Sequence, residues 1–278
     1  MIRATMGTRR SGNRHRGGVA SFAGNEFERL FGVYRVLVSL EALRKGTTRR
    51  LALQLRDCHV DDWVEDEPGA RRHYQLRRRA RQSWNDVRDA FQSQLRASVR
   101  GKALTVTWVV AKKGQASLLR TSVGRVEGAK VEHFPGWLRP ECHIAGGPSR
   151  GALVSACVVP RPTRSDLEAI WKDVAFAWES VRCPGRFVSI KAVLERCDDQ
   201  SQAPLRYSWT PPSWWTRAEQ RLRGLRDFGF RLEDGHFFYS TTTGIQGRFS
   251  CRSEAFRQFA NNVVTHRPRN LADVLELL

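Results

Sequence analysis

Apolar residues return at steps of three and four from Asn25 to Arg44, where Phe27, Leu30, Phe31, Tyr34, Leu37, Val38, Leu40 and Leu43 form one stripe. That period predicts a well-buried helix, with Asn25 as N-cap and Lys45-Gly46 as its stop. The period then changes to two. Across 49–56, Leu51, Leu53 and Leu55 alternate with Arg50, Gln54 and Arg56, which predicts a half-buried strand. Two further strands are predicted as a hairpin, His59 to Glu65 and Arg71 to Arg77, joined by the acidic turn from Asp66 to Gly69. Alternation sets Gln75 and Arg77 on one face and Tyr74 and Leu76 on the other. A second amphipathic helix is predicted over Ser83 to Val99, with Trp84, Val87, Phe91 and Leu95 on its stripe, followed by a β-branched strand over Leu104 to Ala111. Periodicity weakens between Gly114 and Arg150, which reads as mostly loop with a short helix, and Ala152 to Val159 reads as a buried strand.

Helix, strands, helix, strand is the order of an α/β (α+β) domain with a mixed sheet flanked by helices, expected over residues 19–162. Pro160-Arg-Pro-Thr is the expected joint to a second unit, 163–278. There Ser165-Asp-Leu-Glu168 is a capping box for a helix carrying Leu167, Ile170, Trp171 and Val174, and a short helix is expected at Val188 to Arg196. Thr216 to Phe228 is predicted helical, with Arg217, Arg221, Arg223 and Arg226 around an apolar stripe. Phe230 to Ser240 is a hairpin turning at Asp234-Gly235. Helix, basic helix and hairpin is the order of a winged helix, whose relatives place the second helix in the DNA major groove. The same residues also fit an α+β subdomain whose arginines are simply solvated. Helices at Ser253 to Val264 and Asn270 to Leu278 close the sequence.

Charge narrows the choice of partner. Over 278 residues, 47 Lys+Arg against 28 Asp+Glu give +19, a field that attracts polyanions, nucleic acid first. No apolar run reaches the roughly 18 residues of a membrane span, so no membrane partner is expected. Residues 1–18, with Arg9, Arg10, Arg14 and Arg16, lack the apolar centre of a secretory signal and are expected to be a disordered basic tail. Six cysteines without a C-x-x-C pair indicate neither a zinc module nor a disulfide framework, and Cys142-His143 reads as structural. A reducing cytoplasm is the expected location.

The hairpin is where chemistry gathers. Phosphodiester hydrolysis needs a divalent cation, carboxylates to hold it, and a cation or polar group near the attacking water and the phosphate. Oxygen ligands suit Mg²⁺ or Mn²⁺. Asp61 or Asp62, with Gln75 and Arg77 one strand away, supplies such a set, and Glu28 on the first helix completes it from behind. A plainer reading makes these groups a surface ion-pair ladder of little energetic weight.

Val60-Asp61-Asp62-Trp63-Val64 and Tyr74-Gln75-Leu76-Arg77 resemble the D…(D/E/Q)-x-K core of the PD-(D/E)xK, restriction-endonuclease-like superfamily. Within it they resemble the double-stranded DNA nuclease domain of bacterial CBASS-type antiphage effectors. Gly24-x-x-Phe27-Glu28, the Trp84 helix and Leu104-Thr-Val-Thr-Trp108 follow in similar order, so the likeness spans roughly residues 19–125. It implies a metal-dependent DNA endonuclease of antiviral defence. Asp61 and Asp62 would ligate Mg²⁺, Gln75 would orient a ligand water or the metal, Glu28 would support the metal, and Arg77 would contact the scissile phosphate. Arg78, Arg79, Arg81 and the four arginines of the second unit would bind nucleic acid, with double-stranded DNA the expected form. One position departs: Arg77 stands where the family has lysine, and arginine stays protonated and presents a planar fork. Two rivals follow. One is a catalytically degenerate nucleic-acid-binding subunit working with an ATPase, helicase or sensor partner, since the sequence has no P-loop. The other is an RNA-associated or structural assembly protein, a homo-oligomer included, whose nine tryptophans build interfaces.

Overall fold

The structure is a computed structural model that describes residues 8–278 except 56–57, 61, 79–82, 98, 100, 198–202 and 208; for 8–23 and 86 it describes the backbone alone. Helix α1 (Thr8–Arg44) opens it, followed by β1 (Arg50–Ala52), β2 (Trp63–Glu67) and β3 (Ala70–Arg77). Next come α2 (Asn85–Arg96), β4 (Ala103–Val110), α3 (Lys113–Val123) and β5 (Ala129–His133). Helices α4 (Pro140–Ala145), α5 (Gly147–Ala156) and α6 (Arg164–Val181) precede the short β6 (Val188–Ser189) and α7 (Ile190–Arg196).

Six strands form one mixed sheet in the order β5-β4-β3-β2-β1-β6. β3, β4 and β5 run parallel, whereas β2 and β1 fold back as antiparallel neighbours. Helices cover both faces. On one, Phe31 of α1 packs edge-on against Trp63, at 6.2 Å between ring centroids, and tilted against Tyr74, at 5.6 Å. α1 lies close because Gly32 sits over the tryptophans: a Cβ there would come within 3.1 Å of Trp63 and 3.2 Å of Trp178. On the other face, Val106, Trp108 and Val110 pack with Val87 and Phe91 of α2 and with Ala116 and Leu119 of α3.

A buried ion pair ties α1 to the sheet. Arg35 donates to both oxygens of Glu65, at 2.6 and 2.7 Å, and to the Tyr74 hydroxyl at 2.8 Å; the Glu65 side chain has no exposure at all. Burial alone would push the Glu65 carboxyl up, but the adjoining Arg35 guanidinium outweighs it and holds the group below the usual carboxylate range.

Several elements differ from the sequence expectation. The first helix runs through Asn25 from Thr8, so the basic segment expected to be a disordered tail is helical from that point; residues 1–7 lie outside the described residues. Strand β1 stops at Ala52, because Gln54 takes a left-handed conformation, φ +48°. The region 114–150 contains α3, β5 and α4 and begins α5, and Ala152 to Ala156 is helical, not a strand. Prolines there mark helix starts: Pro140 and Pro148 occupy first turns, where a missing N–H costs nothing. The capping box of α6 uses Thr163 and Asp166, two residues before the pair expected. Pro160 to Pro162 does not divide the cores: Leu167, Trp171 and Trp178 of α6, Ile190 and Leu194 of α7, and Leu205 and Tyr207 pack in the same core as α1.

A second core gathers the C-terminal unit: α8 (Trp215–Arg223), a three-stranded antiparallel meander β7 (Phe228–Glu233), β8 (His236–Thr241) and β9 (Gln246–Ser250), then α9 (Glu254–His266) and α10 (Leu271–Leu275). The hairpin at Asp234-Gly235 is present. The basic helix ends at Arg223, five residues early, and β7 already begins at Phe228. A third strand follows the hairpin, and the helix that packs on α8 is α9, which comes after the sheet. No helix among the described residues is long and apolar enough to cross a membrane.

Candidate metal and phosphate site at the end of β3

The register of the sheet brings the motif residues together. Trp63 pairs with Tyr74, which sets the preceding residue, Asp62, beside Gln75. The Oδ2 atom of Asp62 accepts from the Gln75 amide, from the Leu76 backbone N–H at 2.8 Å and from an Arg77 guanidinium nitrogen at 2.9 Å. Arg77 also donates to the Leu76 carbonyl at 2.8 Å. Asp62 is 16% exposed and Arg77 37%, so the pair sits at the border of core and solvent.

Local structure explains why Asp62 sits there. The segment before β2 is not the extended strand expected from His59 on. Gln94, a polar residue on the buried stripe of α2, accepts from the backbone N–H of His59 at 2.8 Å and of Val60 at 3.3 Å. His73, fully buried on β3, holds the Val60 carbonyl at 2.9 Å. These two side chains fix the entry to Asp62, and the sequence reading did not single them out. The available signal was a glutamine among the apolar residues of α2.

The surroundings are cationic. Arg77 is level with Val110, the last residue of the parallel neighbour β4, so exposed Arg78 lies at the same sheet edge as exposed Lys112 and Lys113, which begin α3. The carboxyl edge of parallel strands is where open α/β sheets usually bind ligands. Glu28 is placed elsewhere. It belongs to α1, the helix on the Tyr74 face, and lines a cavity of about 290 Å³ with Asn25, Gln54, Trp178 and Arg182, whereas Gln75 and Arg77 are level with Trp108 and Val110 on the α2 and α3 face. Asp61, Arg79 and Arg81 lie outside the described residues.

For a divalent cation the described residues fit in part. Asp62 and the Gln75 amide supply the oxygen donors of this set, and Mg²⁺ commonly takes only one or two carboxylates beside water and phosphate. Arg77 shares Asp62 and so competes for it. No group of three His, Cys, Asp or Glu side chains with metal-holding geometry occurs among the described residues.

The arginines of the second unit divide. Arg217 and Arg226 are exposed. Arg223 pairs with Glu219 at 2.7 Å and lies 5.5 Å over the Phe230 ring, and Arg221 donates to the Val263 and Val264 carbonyls near the end of α9. Arg221 thus satisfies helix-end carbonyls, a structural task, instead of facing a ligand. Cys142 is exposed and His143 is stacked 5.0 Å from Phe134, with its nitrogens near the Trp137 carbonyl and the Ser149 hydroxyl, in keeping with a structural role. All six cysteines are free. Comparison with family models, curated proteins and solved structures gives no match.

Proposed function

We propose that this protein is a metal-dependent DNA endonuclease of the restriction-endonuclease-like class. The observation that carries the reading is the convergence of the Gln75 amide, the Leu76 N–H and the Arg77 guanidinium on one oxygen of Asp62, at a sheet edge bearing Arg78, Lys112 and Lys113. Arg77 and its basic neighbours hold the phosphodiester backbone, and the planar fork of Arg77 turns from Asp62 to the scissile phosphate. Gln75 keeps the Asp62 carboxylate aimed at the same point. Asp62 and Gln75 would hold Mg²⁺ or Mn²⁺, which would supply Lewis-acid stabilisation of the phosphoryl oxygens. A guanidinium is a poor general base, so the proton of the attacking water would pass to solvent. Slow turnover is expected for that reason. The reading extends to a role in antiphage defence, from the sequence resemblance, to a winged-helix-like use of the C-terminal unit, from its order of elements, and to a cytoplasmic location, from its composition.

One observation favours a second reading. Arg77 already neutralises Asp62, which suits a catalytically degenerate domain that grips duplex DNA for an ATPase or helicase partner. Supercoiled plasmid incubated with and without Mg²⁺ or Mn²⁺ separates the two. The nuclease reading expects metal-dependent nicking that Asp62→Ala abolishes and Arg77→Lys increases. Cleavage that persists in Asp62→Ala removes this site from the mechanism. Absence of cleavage in both the parent and Arg77→Lys, with duplex affinity falling steeply as salt rises, establishes the binding reading.

A further inference from the structure

The outer face of the C-terminal meander carries a feature that the nuclease reading leaves unused. Its inner face is filled: Phe228, Phe237 and Trp215 pack with Phe256 and Phe259 of α9. The outer face is arranged in cross-strand rows. Arg231 of β7, Phe238 of β8 and Arg248 of β9 stand level with one another, and the adjoining row is Gly229, Ser240 and Gln246. The Arg231 guanidinium lies over the Phe238 ring, 4.5 Å from its centroid. The two rows line a cleft of about 590 Å³, walled on one side by Val159. Gly229 keeps it open, since a Cβ there would come 3.3 Å from the Ser240 hydroxyl.

We infer that this cleft binds an unpaired nucleotide of single-stranded nucleic acid. The volume lies within the roughly 300–1,000 Å³ of small-ligand sites. Phe238 and the guanidinium above it make a flat platform on which a base stacks, and every base has a π face that suits such a platform. Ser240 and Gln246 offer hydroxyl and amide groups to the edge of that base. Charge complementarity favours a polyanion over a neutral partner. Arg231 and Arg248 flank the ring, with Glu233 3.1 Å from the first and Asp166 3.4 Å from the second, in a protein of net charge +19. Duplex DNA does not fit, because its bases are stacked on one another and cannot reach the ring. The inference shares with the nuclease reading only the choice of nucleic acid as partner.

The full chain is titrated in EDTA, which prevents metal-dependent cleavage, against fluorescein-labelled oligo-dT, oligo-U and a duplex of equal length, read by fluorescence anisotropy. Phe238→Ala is expected to weaken binding of the single strands about 5- to 150-fold, the range for loss of one base–aromatic stack, while duplex binding stays unchanged. Phe238→Trp restores it, which a merely structural role would not predict. Gly229→Leu fills the cleft and produces the same loss without touching the aromatic ring, so the test survives if Phe238→Ala fails to fold. The ratio of oligo-dT to oligo-U affinity tells whether DNA or RNA is the better ligand. Single-strand affinity that is unchanged in both Phe238→Ala and Gly229→Leu overturns the inference, as does an equal loss of duplex affinity. Because the readout is binding without metal, it can fail while plasmid cleavage depends on Asp62, and the reverse.

Discussion

Replacing Glu65 with alanine strands a guanidinium inside the protein. Arg35, with its side chain only 10% exposed, gives two of its hydrogen bonds to Glu65, and Arg49 and Arg72 each approach the same carboxylate at 3.9 Å. Arg49 and Arg72 keep Glu67 as a partner, whereas Arg35 keeps the Tyr74 hydroxyl, nearby aromatic faces and the weaker pull of Glu132, none of which replaces the two-oxygen pairing. Breaking a buried pair on one side costs about 3–5 kcal/mol, because the charge left behind has no compensation. Set against about 5–15 kcal/mol for a typical domain, that is roughly a fifth or more of the total. Removing both charges tells the two contributions apart. Arg35→Met with Glu65→Met leaves no buried charge, and orphans only the Tyr74 hydroxyl and the Trp63 indole N–H, which donates to Glu65 at 3.2 Å, at about 1 kcal/mol each. The double variant should therefore cost about 1–2 kcal/mol, less than Glu65→Ala alone. Equilibrium urea unfolding followed by tryptophan fluorescence measures both, with Trp63 and Trp178 as reporters in the same core. A cost below about 1 kcal/mol for Glu65→Ala, or a double variant weaker than the single one, refutes the claim that this pair is a buried, mutually compensated unit.

Acid should unfold the protein over a defined window. For Asp66, burial pushes upward, but bonds from Lys102, Arg50 and Arg71 outweigh it and hold the carboxyl at about 2, while Glu65 and Glu67 are lowered as well. A depressed folded pKa gives stability that is complete above the unfolded value of about 4 and is lost as pH falls toward the folded value, so Tm should drop between about pH 4 and 2, and less in Asp66→Asn. Glu132 has the opposite sign: burial raises it, with Glu65 adding and Arg35 opposing, so its favourable contribution is present in acid and lost as pH rises through the folded pKa. Glu132→Gln should accordingly raise Tm at pH 7 and leave it unchanged at pH 3. Gly235→Ala should destabilise by about 1–3 kcal/mol in urea, since its φ is +81° and the new Cβ would stand 2.5 Å from the Tyr207 ring.

The parts of the fold readable from the sequence are those whose local period agrees with their burial. Phe27, Leu30, Phe31 and Leu37 are all buried on α1, and the alternation of β3 does separate Tyr74 and Leu76 from Gln75 and Arg77. What was missed depends on tertiary context. α3 has a buried stripe of Ala116, Leu119 and Val123, but exposed Leu118 sits beside it and blurs the period. Prolines in first turns look like loop markers. The membership of α6 in the first core is set by Trp178 meeting Trp63, a contact across more than a hundred residues that no local pattern carries. Of the candidate site, Asp62, Gln75 and Arg77 were readable because strand register places them. Glu28 was expected behind them, yet it belongs to a helix on the opposite face. His73 and Gln94 were not readable as positioning residues, since their partners are backbone atoms of a bend.

Strand β3 shows how one short element can serve two purposes. Residues Arg72, Tyr74 and Leu76 face α1, where Tyr74 joins the Arg35–Glu65 pair and fixes the layer spacing. Residues His73, Gln75 and Arg77 face the other way, where His73 holds the chain before Asp62, and Gln75 and Arg77 engage its carboxylate. Because side chains alternate, the two sets share a backbone but no contacts, and their substitutions should be nearly additive in stability. The energetic weight of the two faces differs as well. The Arg35–Glu65 pair is desolvated and costly to break, whereas Arg77 is more than a third exposed and its pairing with Asp62 is worth little in stability. An ion pair that is cheap to open is what a phosphate-binding arginine requires. On the proposed function, Arg77 would leave Asp62 for an incoming backbone phosphate while the buried face of the same strand holds the sheet in place.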